Sequence, residues 1–184
     1  MTQSTNKTFL ITGGTSGIGK AFKSLCLAEN HNLLSLERHA PIQQPKDHTI
    51  IACDLSSSES MANACKSIDQ EINVFVHFAG IMLSKSLPES CFEDIENMVK
   101  VNLIAPTYLV SQIIPKLTDK GLIIMIGSQS AYKGSYDDLY AITKAGIHGL
   151  VGSLAPKLAP EKRIINIAPG ITRGTKMTDR RSED

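Results

Sequence analysis

Tyr140 and Lys144 stand four positions apart in Tyr140-Ala-Ile-Thr-Lys144, a spacing that puts both side chains on one face of a helix. A free phenol loses its proton near pH ~10, too high for ready exchange near neutrality. An ammonium beside it favours the phenolate and lowers that value, and a general acid/base works best with a pKa close to the operating pH. Ser128 lies 12 positions earlier (140 − 128), just past an apolar run, where a hydroxyl can steady a substrate oxygen as charge develops on it. Ser130 is a second candidate for that hydroxyl. A Tyr–Lys pair at this spacing is also common on exposed helices, so alone it carries little weight. His148, four positions past Lys144, is read as a helix-surface residue without a role.

A second group is built for phosphate. Thr12-Gly-Gly-Thr-Ser-Gly-Ile-Gly19 follows an apolar run, and an amphipathic pattern follows it. Gly13, Gly17 and Gly19 suit three needs: a tight turn, close approach of backbone to a pyrophosphate, and close packing of helix on strand. The helix that starts here turns free N–H groups and a partial positive charge toward the turn, where Thr15, Ser16 and Ile18 also lie. An unliganded surface turn is the alternative, and the strand–turn–helix placement argues against it.

Short apolar runs alternate with helical patterns along the chain, and these elements must position both groups. Strands are predicted at residues 8–12, 33–36, 49–53, 74–78, 122–126 and 163–168. Helices are predicted at 18–29, at 58–71 with N-caps at Ser56 to Ser58, at 92–117 with a kink at Pro106 and an end at Pro115, and at 138–158. Strands alternating with helices imply right-handed crossovers and a parallel sheet. The stretch 38–47, broken by Pro41 and Pro45, is too short for a crossover helix and is expected to be a loop. With no internal repeat and no low-complexity linker, residues 1–184 read as a single domain.

Composition narrows the partners. A formal net charge of +1 gives no bulk reason to expect nucleic acid or an anionic membrane. No apolar stretch approaches the ~20 residues of a membrane helix. The first seven residues lack the apolar core of a signal peptide, so a cytoplasmic location is expected. Cys26, Cys53, Cys65 and Cys91 are widely spaced with no CxxC pair. They read as reduced, buried, small hydrophobes, and no metal site is expected.

Six ordered motifs carry a family resemblance over essentially the whole chain. Thr12, Gly13, Gly17, Ile18 and Gly19 spell TGxxxGIG after the first strand. Asp54-Leu55 follows the third strand, Ala79-Gly80 the fourth, Asn102 sits in Val-Asn-Leu, and Tyr140 and Lys144 form YxxxK. Pro169-Gly170 ends the sixth strand. Together they resemble the classical short-chain dehydrogenases/reductases. The resemblance implies an α/β fold with a Rossmann-type, doubly wound parallel sheet of about six strands, and NAD or NADP as cofactor. By resemblance the cofactor lies against the glycine turn, Asp54-Leu55, Ala79-Gly80, Pro169-Gly170, Tyr140 and Lys144. Lys144 holds the nicotinamide ribose, and Asn102 holds a water that relays protons through Lys144. Of the catalytic set Asn102, Ser128, Tyr140 and Lys144, Tyr140 would give or take the hydroxyl proton, Ser128 polarise the oxygen and Lys144 tune Tyr140, while hydride passes between a secondary alcohol or ketone and the nicotinamide.

At the end of the second strand Glu37 and Arg38 stand side by side. The acid suits a ribose 2′-hydroxyl and the Arg a 2′-phosphate, and the balance falls to NAD. His77-Phe78 departs from the family's Asn-Asn, where only His77 keeps a hydrogen-bonding side chain. The chain is also C-terminally short for the family. Residues 171–184 are a polar tail or the start of the substrate loop. Two alternatives therefore stay open beside the enzyme: an inactive cofactor-binding regulatory module, or a fragment of a longer reductase. The substrate would be a small carbonyl or alcohol compound. Homo-oligomers could form through the segments 92–117 and 138–158.

Overall fold

The structure is a computed structural model that describes residues 6–44 and 46–175. Six strands, β1 (Thr8–Thr12), β2 (Asn32–Glu37), β3 (His48–Ala52), β4 (Ile72–His77), β5 (Leu117–Ile126) and β6 (Arg163–Ile167), pair in the order β3-β2-β1-β4-β5-β6. Every pairing is parallel. Strand order reverses between β1 and β4, which opens a crevice at their carboxyl ends. The doubly wound parallel sheet expected from the alternating pattern is present.

Side-chain alternation along the strands divides the core in two. Leu10, Leu34, Leu36, Phe75 and Ile123 face one side. There they pack with Met61 of α2 (Ser58–Lys66), Leu109 and Ile113 of α4 (Ala105–Ile113), and Ile147 and Val151 of α6 (Asp138–Leu158). Ile11, Leu33 and Val76 face the other side, against Phe22 and Cys26 of α1 (Gly17–Ala28). Among the described residues the β2–β3 connection has no helix, as expected for a stretch that contains two prolines. Gln44 in that loop accepts the Ile50 N–H at 2.7 Å and donates to the Ile50 carbonyl at 2.9 Å, which partners part of an otherwise open strand edge.

Several boundaries move. The second helix ends at Lys66 rather than at 71, because β4 begins at Ile72 to pair with Leu117. The segment 92–117 is not one kinked helix. It comprises α3 (Phe92–Val99), a π-turn (Lys100–Ile104), α4, and a 3-10 turn (Ile114–Lys116) that contains Pro115. Pro106 lacks a donor and sits in the first turn of α4, where none is needed, and the wider π-turn before it absorbs the mismatch. Leu117, assigned to the helix by periodicity, is the buried first residue of β5. A one-turn helix, α5 (Ser130–Lys133), has no counterpart in the sequence pattern.

Three cysteines are buried, and burial pushes the thiols of Cys26 and Cys53 up to about 11 and raises that of Cys65. Cys91 is exposed, contrary to the expectation that all four are buried, because it precedes the first turn of α3 on the surface. No helix among the described residues is long and apolar enough to cross a membrane.

Candidate active site

The glycine turn is shaped by what has to pass close to it. Gly13 has φ +70°, and a Cβ there would stand 2.6 Å from the Ala79 backbone nitrogen; a Cβ on Gly19 would collide with the Gly13 carbonyl oxygen. The ends of β1 and β4 and the start of α1 are therefore drawn together at a spacing only glycine allows. Thr12 completes the joint: its hydroxyl receives the Ala79 N–H at 3.2 Å and lies 2.9 Å from Nδ1 of His77. Burial, reinforced by the Lys144 ammonium, pushes the His77 imidazole down to about 3. Nε2 is buried without a hydrogen-bond partner among the described groups. The hydrogen bond anticipated for His77 is present, and Phe78 instead stacks at a tilt on Phe22, with ring centroids 5.1 Å apart.

The first turn of α6 carries Tyr140, and one turn further on Lys144 lies beneath it. Lys144 is 5% exposed. It donates to the Ile126 carbonyl at 2.7 Å and holds its Nζ 5.6 Å from the Tyr140 ring centre. Burial lowers the ammonium to about 8. Tyr140, 9% exposed, has its phenol raised by burial, against which a hydrogen bond from Ser128 works; the Asp137 carboxylate adds to the rise. The phenol is thus not lowered by the chain itself. Lys144 places one of its donors on the Ile126 carbonyl and shares with Tyr140 the helix face that the i,i+4 spacing predicts.

Ser128 follows β5 and is pinned from both sides. The Gly127 and Gln129 amides donate to Ile167 and Pro169, and Ser128 Oγ receives the Ser130 amide at 3.1 Å. Between the two candidate hydroxyls, Ser128 is the one that meets Tyr140; Ser130 belongs to α5. Pro169-Gly170 lies alongside, since a Cβ on Gly170 would be 3.4 Å from the Gln129 side-chain oxygen.

Asn102 occupies the π-turn and is 2% exposed. Its Oδ1 accepts the Ile81 amide at 2.8 Å, and its Nδ2 donates to the Ile81 carbonyl at 2.8 Å and lies 3.4 Å from Thr143 Oγ1. The side chain therefore braces the loop after β4 against α6. Gly80 is the close neighbour of both: a Cβ there would be 3.4 Å from Asn102 Oδ1 and 3.7 Å from Lys144 Nζ. Gly80, Asn102, Ser128, Tyr140 and Lys144 thus meet at one edge of the sheet.

At the other end of the crevice Glu37 lies under the turn, its Oε1 3.6 Å from where a Cβ on Gly14 would stand. Arg38 beside it is exposed. Asp54 accepts from the amide and hydroxyl of Ser56, which hold its carboxyl below its ordinary value, with Arg38 and His39 adding to the effect. Leu55 packs on the larger core. Thr15, Ser16 and Ile18 are exposed along the turn. A Cβ on Gly17 would be 3.5 Å from the Thr175 methyl, so the segment after β6 returns over the turn. Of residues 171–184, those from 176 onward lie outside the described residues.

Sequence reasoning missed Asp137, the fully buried cap of α6, although an acid just before a helical pattern is a recognisable start signal. It also missed Lys23, which pairs with Glu37 at 3.2 Å across the gap between α1 and β2. Nothing in local pattern announces that contact.

The arrangement can move a proton at a phenol whose hydroxyl partner and neighbouring ammonium are both fixed by backbone contacts. The crevice beside it is lined by backbone that only glycine permits, a cradle whose shape fits the pyrophosphate of a dinucleotide.

Comparison with known proteins agrees with this reading. The family model described as short chain dehydrogenase matches residues 7–184. Carbonyl reductase family member 4 of Danio rerio is 29% identical over 182 residues, covering 92% of this chain and 76% of that protein. The crystal structure of Short-chain dehydrogenase/reductase SDR:Glucose/ribitol dehydrogenase from Brucella melitensis superposes with a TM-score of 0.81 at 29% identity, covering 95% of this chain and 76% of the other. A short chain dehydrogenase family protein from Francisella tularensis shares the fold, with a TM-score of 0.87 at 24% identity over 94% of this chain and 72% of its own. The Gly13–Gly19 cradle and the Ser128, Tyr140 and Lys144 cluster are thus carried on a chain that belongs to the short chain dehydrogenase family of NAD(P)-dependent oxidoreductases.

Proposed function

We propose that the protein transfers hydride between a secondary alcohol, or its ketone, and a nicotinamide cofactor, with Tyr140 as general acid/base. The observation that carries the reading is the convergence of the Ser128 hydroxyl, the Tyr140 phenol and the buried Lys144 ammonium at the carboxyl edge of the sheet, next to the glycine cradle. When bound, NAD or NADP supplies the hydride acceptor or donor. The residues that would hold it are the Gly13–Gly19 turn, Glu37 and Arg38, Asp54 and Leu55, Ala79 and Gly80, Lys144, and Pro169 and Gly170, with Glu37 favouring NAD.

Tyr140 gives or takes the substrate hydroxyl proton at its phenol oxygen. Ser128, beside the phenol, turns its hydroxyl to the substrate oxygen and stabilises the charge that builds on it. Lys144 at about 8 is still charged at neutral pH, and its remaining N–H groups are available to a ribose hydroxyl. Asn102 keeps the loop at Ile81 in place beneath this cluster. Buried Tyr140 and Lys144 sit where water is excluded, so these charges act in a low-dielectric setting. A homo-oligomer contact would form through the segments 92–117 and 138–158; the first carries a hollow of about 400 Å³ lined by Leu103 and Ile104 of the π-turn and Thr107, Tyr108 and Ser111 of α4.

The test is titration with NADH and NADPH followed by nicotinamide fluorescence, then assay on a panel of ketones and secondary alcohols. Binding with turnover supports the enzyme. Binding with none across the panel favours the alternative of a non-catalytic cofactor-binding module, and binding of neither cofactor defeats both.

A further inference from the structure

A line of buried polar groups runs behind the adenosine end of the crevice, on the α1 face of the sheet and away from the catalytic cluster. His48 Nε2 donates to Ser35 Oγ at 2.7 Å, Ser35 donates to Glu37 Oε1 at 2.9 Å, and Lys23 Nζ meets the same Oε1 at 3.2 Å. A hydroxyl has one proton to give. Since Ser35 gives it to the carboxylate, His48 must be the donor in its own pair, and burial, which lowers the His48 imidazole, keeps it neutral for that role. One carboxylate oxygen is thus held by two donors. The Glu37 side chain is only 9% exposed. The carboxylate is drawn back under Gly14 instead of standing out into the crevice.

This changes what the acid at the end of β2 can do. An unpaired carboxylate there repels a 2′-phosphate, and this one has its charge offset by an ammonium 3.2 Å away. Beside it, Arg38 projects to solvent with a guanidinium suited to phosphate. We infer that Lys23 is a specificity-determining residue of the adenosine-ribose pocket: by pairing with Glu37 it lifts the exclusion of the 2′-phosphate, so that the pocket takes NADP as well as NAD. The inference rests on the cofactor placement proposed above and deepens it. Glu37 supplies the preference for NAD, and Lys23 sets how strong that preference is.

The test reads binding alone, by fluorescence titration of NADH and NADPH with the full chain. For the wild type, the two dissociation constants lie within about tenfold of each other. Lys23→Met strands the carboxylate and weakens NADPH at least tenfold relative to NADH, whereas Lys23→Arg, which keeps the pair, leaves the ratio as it was. Lys23→Gln reads the same way as Lys23→Met should the latter fail to fold. In Lys23→Met/Glu37→Gln the ratio returns toward the wild-type value, because there is no longer a charge to neutralise. An unchanged ratio in Lys23→Met overturns the inference. So does a double variant as poor toward NADPH as the single one, since Lys23 would then act on the phosphate directly. A wild type that binds neither dinucleotide defeats the cofactor placement itself, an outcome distinct from either.

Discussion

Asp137 and Tyr140 are joined at the first turn of α6: Oδ1 of the fully buried Asp137 accepts the Tyr140 amide at 2.9 Å, while its Oδ2 accepts the amides of Leu83 and Ser84 at 2.7 and 2.8 Å. One carboxylate therefore fixes both the turn that carries the phenol and the loop that leaves β4. Helix capping and loop closure are the same contact here.

Asp137→Ala leaves three amides without their acceptor, and losing an N-cap together with buried hydrogen bonds is expected to cost roughly 3 kcal/mol. Asp137→Asn keeps the shape and one good acceptor, and should fall between the two. Urea unfolding of the three proteins checks the order. An Asp137→Ala midpoint equal to the wild type would show that the joint contributes nothing.

Tyr140→Phe keeps the ring in its packing against Met98 and Leu139 and removes only the hydroxyl. Turnover should drop by about 10²- to 10⁴-fold, the range for loss of a general acid/base, while the dissociation constant for NADH changes little. Steady-state assay beside fluorescence titration separates the two effects. Retained turnover would reassign the proton transfer to another group.

Gly13→Ala places a Cβ 2.6 Å from the Ala79 nitrogen at a backbone φ of +70°. Both strain and collision oppose it, so a loss of about 2–4 kcal/mol is expected, together with loss of dinucleotide binding. A folded variant with wild-type affinity, seen by thermal melt and titration, would mean the turn is not the phosphate cradle.

His77 gives the protein an acid weakness. Its imidazole is held down to about 3 by burial, with the Lys144 ammonium adding to the effect, against about 6.5 in an unfolded chain. Below pH 6.5 the unfolded state takes up the proton and the folded state does not, so stability falls as pH drops. Between pH 6.5 and 5 the loss from this residue is about 2 kcal/mol. His48, also lowered, acts in the same direction. His77→Asn should be less sensitive over that window, as read from urea midpoints at pH 7, 6 and 5. Identical pH profiles for the two proteins would remove His77 as the cause.

The elements and the family were legible along the chain because their signals are local. A strand–turn–helix with Gly13, Gly17 and Gly19, and the alternation of apolar runs, report on neighbours a few residues apart. All six strands and the helix Asp138–Leu158 lie where periodicity put them, to within a few residues at the ends except at the start of β5. The amino end of β5 was misread because Leu117 owes its extended form to pairing with Ile72, 45 positions away (117 − 72). Periodicity cannot report such a partner.

From the sequence alone came the glycine turn and the parallel sheet, as consequences of residue type and short-range spacing, and the choice of Tyr140, Lys144 and Ser128 as the chemistry-bearing set, to which the family resemblance gave its weight. Tertiary structure alone decided that Lys144 donates to the Ile126 carbonyl, that Asp137 joins the first turn of α6 to the loop after β4, and that Lys23 neutralises Glu37. Hydrogen bonds and ion pairs depend on distances between elements. Those distances exist only once the helices are seated on the sheet and water has been removed from between them.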